Sequence, residues 1–333
     1  MKKVLAHALG ELPGGKALIA GTGKKPTQPA TNRDRSSLYR HIMLILSTVR
    51  GQHMTRLGQY ALTLSLAVIW CAQLSPLAQA GVIGKDNRQV LLDHYREKGI
   101  GNDLTAQPYA ASQRIMCNFT SGSAALVERG DIVLTVRHVF MAEPAQKDYS
   151  AASKPNRCSL EVSDGERSNW YPVIVKSAIF NAAKQRSFVD RFDWVVLKLE
   201  SPVPGVKPYP LASQAVRPNT PVTLVTMHQE GFKYVSQFMR VYQTCKVRAG
   251  VTIDRIEPAG YKLDCSTSIG ASGSAVLVEG SSGPEVAGVV SSYSGRKTGS
   301  CSFDPRRCFA YAVGITDEIR AAVGKLMDGT PKP

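Results

Sequence analysis

Apolar and polar positions change character along the chain. Residues 61–74 are almost wholly apolar (ALTLSLAVIWCAQL), whereas from residue 81 onward short apolar runs alternate with clusters of Gly, Pro, Asn, Asp and Ser. The second pattern predicts strands over Ser123–Val127, Ile132–Thr135, Tyr171–Ile174, Trp194–Leu199, Val222–Met227, Ser236–Val241, Tyr261–Leu263, Ala275–Val278, Val286–Ser291 and Ala310–Val313. Many short strands with frequent turn signals predict a sandwich or barrel rather than βαβ units. No internal repeat is visible. Helical spacing occurs twice, over Asn87–Lys98 and Thr316–Met327. In the second segment Thr316 can cap, Ile319, Val323 and Leu326 share a face, and Gly329 can stop the helix. A β body carrying a terminal helix is therefore expected.

The apolar run reads as an address. It follows Met54-Thr-Arg56 and precedes Ala78-Gln79-Ala80. A positive start, a short apolar core and an A-x-A site make a secretory signal peptide over residues 54–80, with Gly81 as the mature amino terminus. The run falls short of the ~20 residues that a membrane-spanning helix needs. A short buried helix is the plain alternative. Residues 1–53 are rich in Gly, Pro, Lys and Thr, with one apolar patch at Ile42–Leu46. They are expected to be a mis-annotated or disordered extension, with translation starting at Met54. Residues 81–333 are then one exported domain, secreted or periplasmic.

Composition narrows the class. With 43% apolar and 20% charged residues, low-complexity, collagen-like and wholly disordered chains are excluded. Of the net charge of +15, +8 lies in residues 1–80, so the remaining chain carries +7. That charge is too dispersed to argue for nucleic acid. Beyond Cys71 in the leader, Cys117, Cys158, Cys245, Cys265, Cys301 and Cys308 remain. An even number in an exported chain reads as disulfides. Six cysteines allow fifteen pairings, and joining neighbours along the chain gives Cys117–Cys158, Cys245–Cys265 and Cys301–Cys308. No Cys/His cluster has zinc spacing, so neither metal nor organic cofactor is expected.

Three segments carry the chemistry. Ile132-Val-Leu-Thr-Val-Arg-His138 delivers a histidine at a strand end. Phe192-Asp193-Trp-Val-Val-Leu-Lys-Leu199 opens an apolar strand with an aspartate. Gly270-Ala-Ser272-Gly273-Ser274 flanks a serine with glycines. Acyl transfer needs a hydroxyl nucleophile, a base for its proton, a buried carboxylate to orient that base, and N–H donors for the oxyanion. Each residue alone has a bland reading: a structural histidine, a turn aspartate and a loop serine. Their joint occurrence in an exported β chain favours the catalytic one. Asp190 competes with Asp193, which is preferred because it abuts the apolar strand. His94 lies in a charged, helix-like stretch and reads as solvated. His228 follows an apolar strand and has no assigned role.

The order His, Asp, Ser and these three local patterns resemble the chymotrypsin-like (trypsin-fold) serine proteases, from about Arg114 to the terminal helix. Leu134-Thr135-Val136-Arg137-His138 is similar to the family's T-A-A-H box, Asp193–Leu199 to its aspartate strand, and Gly270–Ser274 to its G-[DN]-S-G-G turn. Gly288-Val-Val-Ser291-Ser292-Tyr293 is similar to the strand that pairs with bound peptide. Gly84–Arg88 is similar to the opening of bacterial glutamyl-endopeptidase-like members. The resemblance implies two six-stranded antiparallel β-barrels with a C-terminal helix, His138 as general base and acid, Asp193 as its orienter, and Ser272 as nucleophile. It also implies an oxyanion hole from the N–H groups of Gly270 and Ser272. Ser291 would sit beside Asp193, Ser266 at the base of the primary pocket, and Ser292 and Tyr293 along the substrate strand and pocket wall.

The departures matter as much. Ala271 replaces the acidic residue of the trypsin branch, so activation by a freed amino terminus pairing there is not expected. Val139 replaces the usual cysteine after the histidine, and Arg137 stands where a small residue is usual. Ser266 is uncharged, which disfavours Arg or Lys substrates, and Tyr293 can narrow the pocket toward small apolar side chains. The α/β-hydrolase elbow fails because no histidine follows Ser272. Ser294-Gly-Arg-Lys297 and Lys297-Thr-Gly299 overlap at one lysine and cannot form two separate catalytic walls. The expected activity is a secreted serine endopeptidase, monomeric, acting on protein or peptide. Two competitors stand beside it: a catalytically impaired binding protein on the same fold, and a basic exported protein binding anionic surface polymers.

Overall fold

A computed structural model of the chain describes residues 81–329 except 102, 119, 142–156, 165–166, 182–190, 228–238, 254–255 and 296–299. The leader at 54–80, the extension at 1–53, Asp190, His228 and Lys297 lie outside the described residues. The elements run in chain order as β1 (Val82–Ile83), β2 (Gln89–Val90), α1 (Leu91–Glu97), β3 (Ser112–Cys117), β4 (Thr120–Leu126), β5 (Ile132–Thr135) and α2 (Arg137–Phe140). They continue with β6 (Cys158–Ser163), β7 (Ser168–Pro172), β8 (Val195–Lys198), β9 (Pro221–Met227), β10 (Arg240–Ile253) and β11 (Ile256–Leu263). The last are β12 (Ala275–Gly280), β13 (Gly283–Ser294), β14 (Ser300–Cys301), β15 (Phe309–Gly314) and α3 (Asp317–Asp328).

The amino-terminal half is an antiparallel sheet in the order β7-β6-β3-β4-β5-β8. Among the described residues its two ends meet through single bridges, Val173 to Leu199 and Ile179 to Val196, so it is a half-barrel. Ile115, Leu126, Ile132, Leu134, Leu160 and Leu197 are all fully buried in its core. Strands β5 and β8 are buried at every position, where half-buried strands would alternate. The second covering comes from α3, whose Ile319, Ala322, Val323 and Leu326 belong to the same core. Burying side chains of this kind contributes about 1.5–3 kcal/mol each for the large ones. The orphan carbonyls at the end of α3 are met from this half: Arg129 donates to Leu326 and Met327, and Lys198 to Gly329.

The carboxy-terminal half closes fully. Strands β9, β10, β11, β15, β13 and β12 form a ring that returns to β9, with β2 added on β10. Closure depends on the fourteen residues of β10. Its first half pairs with β9 and, beyond a bulge at Val247/Ala249, its second half pairs with β11. Bulges bend a strand and raise its twist, which a small barrel requires. The mostly β architecture with one terminal helix is thus the one expected, with one barrel closed and the other half-open.

Several elements depart from the sequence pattern. Strands β3 and β6 carry alternating polar residues and were not predicted; Ser112 and Gln113 are nonetheless buried, each with a hydrogen-bond partner. The first predicted helix shrinks to Leu91–Glu97, because Gln89 and Val90 pair with β10 instead. Thr316 caps α3 by accepting from the Ile319 N–H. All three disulfides match the neighbour pairing, Cys117–Cys158, Cys245–Cys265 and Cys301–Cys308. Cys117 and Cys158 lie directly opposite each other across β3 and β6.

Candidate active site

Each candidate side chain is delivered by a strand end. His138 was expected at the end of β5 and instead sits one turn further, on the short helix α2. Asp193 immediately precedes Trp194 and β8, as the sequence suggested. Strands β5 and β8 are antiparallel neighbours, with Thr135 opposite Val195. The segment following one strand is therefore brought to the segment preceding the other.

The contact is twofold. The His138 backbone N–H donates to Asp193 Oδ1 at 3.0 Å, and ring Nδ1 lies 2.8 Å from Oδ2. An ionised carboxylate only accepts, so Nδ1 carries the proton and leaves Nε2 as the basic nitrogen. Ser291 Oγ donates to the same Oδ2 at 2.5 Å. Asp193 is 3% exposed. Burial opposes its charge, but the neighbouring His138 ring and the hydrogen bonds from His138 and Ser291 outweigh it and hold the carboxyl below its ordinary range.

Ser272 meets this pair through Ser291. Its Oγ points at the Ser291 carbonyl at 3.5 Å, while the Ser291 hydroxyl binds Asp193. Ser291 follows Val290, the strand position that accepts from the Gly273 N–H and donates to the Ser274 carbonyl. The turn is locked against the other half. The Ser123 N–H donates to the Ser272 carbonyl at 2.8 Å, and its hydroxyl donates to the Gly270 carbonyl at 2.8 Å. Gly273 is required where it stands. Its φ is +90°, and a Cβ there would lie 1.9 Å from the Ser123 carbonyl oxygen and 2.3 Å from Thr135 Oγ1. Within the turn, the N–H groups of Ala271 and Gly273 are engaged by Ser268 and Val290. Among the described residues no acceptor takes the N–H of Gly270 or Ser272, which leaves both available to an oxyanion.

The residues expected at the pocket are engaged with Gly81–Ile83. Ser266 is buried and its Oγ accepts the Ile83 N–H at 3.0 Å, while Gln243 clamps its backbone on both sides. Thr267 exchanges two backbone hydrogen bonds with Gly81. Tyr293 packs on Gly81 so closely that a Cβ there would come within 2.3 Å of its ring, and its hydroxyl reaches Cys301 Sγ at 3.4 Å. Ser292 pairs with Tyr311 on the neighbouring strand. Arg137 is buried, donating to the Asn181 carbonyl beside the Phe180 ring, and Ala271 is buried. The sequence reading missed Ser123 and Gln243. Ser123 stands at the polar opening of its strand and Gln243 among other polar residues of β10, so local pattern carries no signal for either.

Residues 122–283 match a family described as trypsin-like peptidase domain, a span holding His138, Asp193 and Ser272. Over those residues the chain resembles a trypsin-like peptidase domain. No curated protein matches it. Among solved structures it is similar to "Structure of Glu endopeptidase in complex with MPD", with 13% identity, a TM-score of 0.55, and coverage of 74% of this chain and 100% of that one. That similarity places the peptidase domain on the chymotrypsin fold. Among the described residues no helix is long and apolar enough to cross a membrane, and no group of His, Cys, Asp and Glu has the arrangement to hold a metal.

Proposed function

We propose that the chain is an exported serine endopeptidase in which Ser272 is the nucleophile, His138 the base and Asp193 its orienter. The observation that carries this is the buried Asp193 carboxylate, which receives the His138 ring, the His138 backbone and the Ser291 hydroxyl at once. Such a carboxylate fixes the tautomer and stabilises the imidazolium that forms when the serine proton moves. Ser272 Oγ adds to the scissile carbonyl carbon as its proton passes to His138 Nε2. The oxyanion is taken by the Gly270 and Ser272 N–H groups. His138 then protonates the leaving amine, and water, activated by the same ring, hydrolyses the acyl-enzyme.

Activation differs from the tryptic type. With Ala271 buried, there is no carboxylate at that position to receive a freed amino terminus. The turn is held by Ser123 instead, so a chain beginning at Gly81 is expected to work without internal cleavage. An uncharged Ser266 and the Tyr293 ring at the wall suit small apolar side chains at the scissile position. A fluorophosphonate probe tests the assignment: labelling of the wild type that disappears in Ser272→Ala is expected. Absence of labelling in a folded wild type overturns it and favours a binding protein on the same fold.

A further inference from the structure

A buried cation lies outside the catalytic machinery. Arg240, the first residue of β10, is 7% exposed, and its Nη1 is enclosed with no hydrogen-bond partner. Among the described residues no carboxylate forms an ion pair with it; Asp164 acts on it only at longer range. Burial works against its charge, yet a guanidinium stays protonated in proteins. An unpaired buried charge is strongly destabilising, so such a group calls for a counter-charge.

Its neighbours are neutral hydroxyls, which bring protons but no counter-charge. Tyr95 and Tyr209 both lie close enough to interact electrostatically with Arg240 and with each other. The Tyr95 hydroxyl already accepts the Tyr109 N–H at 3.1 Å, so its own proton still needs an acceptor, and none among the described residues supplies one. Tyr209 and Ser112 share one hydrogen bond at 3.0 Å, which uses only one of their two hydroxyl protons. All three side chains are nearly inaccessible. Burial pushes the Tyr95 hydroxyl up to about 12 and Tyr209 higher still, so both remain O–H donors at neutral pH. The cluster holds one positive charge and hydroxyl protons that no acceptor among the described residues takes.

We propose that Arg240, Tyr95 and the Ser112–Tyr209 pair form an internal site for a small monovalent inorganic anion such as chloride. A single charge balances a single guanidinium, and the burial of the cluster selects an anion that can enter without its water shell. The site is also connected to the nucleophile turn. Arg240 lies opposite Met227 across β9, the Met227 N–H donates to Ser123 Oγ, and that hydroxyl holds the Gly270 carbonyl. This inference is independent of peptidase activity, and its test reads binding rather than turnover.

The experiment uses the exported chain in sodium bromide, with crystals measured at the bromine absorption edge, beside thermal unfolding in sodium chloride and sodium gluconate of equal ionic strength. An anomalous peak within hydrogen-bond distance of Arg240 Nη1 is expected. The unfolding midpoint should rise with the logarithm of chloride concentration and stay flat in gluconate. In Tyr95→Phe, which removes one donor and keeps the ring, the chloride dependence should weaken; Arg240→Met should abolish it. If Arg240→Met does not fold, the wild-type and Tyr95→Phe measurements still decide. A water at Nη1 with no anomalous signal, or equal midpoints in both salts, overturns the proposal, as does bromide found only on the protein surface.

Discussion

Replacing Ser123 by alanine would test how the nucleophile turn is held. Its hydroxyl is enclosed at the junction of the two halves, accepting from the Met227 N–H at 2.9 Å and donating to the Gly270 carbonyl at 2.8 Å. Alanine removes both bonds and leaves a buried N–H and a buried C=O without partners, each costing about 1–3 kcal/mol. The combined loss is about 2–6 kcal/mol, read as a lower midpoint in urea. The freed peptide lies between the two N–H groups proposed for the oxyanion. Removing one such donor outright costs about 100–1,000-fold in kcat. Loosening the peptide between the two donors should cost about 10–100-fold, with KM nearly unchanged, because the strain appears only as the oxyanion forms. Hydrolysis of a chromogenic peptide at saturating substrate, beside urea unfolding of the same sample, provides both numbers. A Ser123→Ala protein that keeps its kcat within about twofold and its stability within about 0.5 kcal/mol, the range of ordinary surface changes, would refute the reasoning.

The other expectations are shorter to state. Asp193→Asn should lower kcat about 10,000-fold while the fold persists, because the amide favours the wrong imidazole tautomer; circular dichroism and turnover together check this. Since the Asp193 carboxyl is held below its ordinary range, its contribution to stability is complete above the usual carboxylate pKa and is lost as pH falls through the lowered value. Urea midpoints measured as pH is lowered below about 4 should therefore fall less steeply in Asp193→Asn than in the wild type. Gly273→Ala should destabilise by at least about 1–3 kcal/mol from the backbone conformation alone, with the overlap on Ser123 adding to it; soluble yield and thermal unfolding report it. Paired Cys245→Ala and Cys265→Ala changes open a loop of twenty residues. They should lower stability by about 3 kcal/mol, measured by urea unfolding under oxidising conditions.

The sequence alone determined what local chemistry controls. The strand cores over Ile132–Thr135, Val222–Met227 and Ala275–Val278, and the capped helix after Thr316, follow from side-chain period and turn residues, which act over a few positions. His138, Asp193 and Ser272 stood out as candidates because their segments carry an imidazole, a carboxylate and a hydroxyl in strong local contexts. Local pattern alone did not bring them together; only the family resemblance implied it. The antiparallel pairing of β5 with β8 brings His138 to Asp193, and Ser291, 98 residues beyond Asp193, bridges that carboxylate to Ser272. The same holds for Ser123, which looks like an ordinary polar strand opening until the second half supplies Gly270 and Met227 as partners. Strands β3 and β6 were missed for a related reason: their buried polar side chains are tolerated only because tertiary neighbours satisfy them, as Glu161 does for Arg114 at 3.0 Å. Propensity and periodicity are short-range, whereas hydrogen-bond satisfaction of a buried polar group depends on whatever the folded chain places beside it.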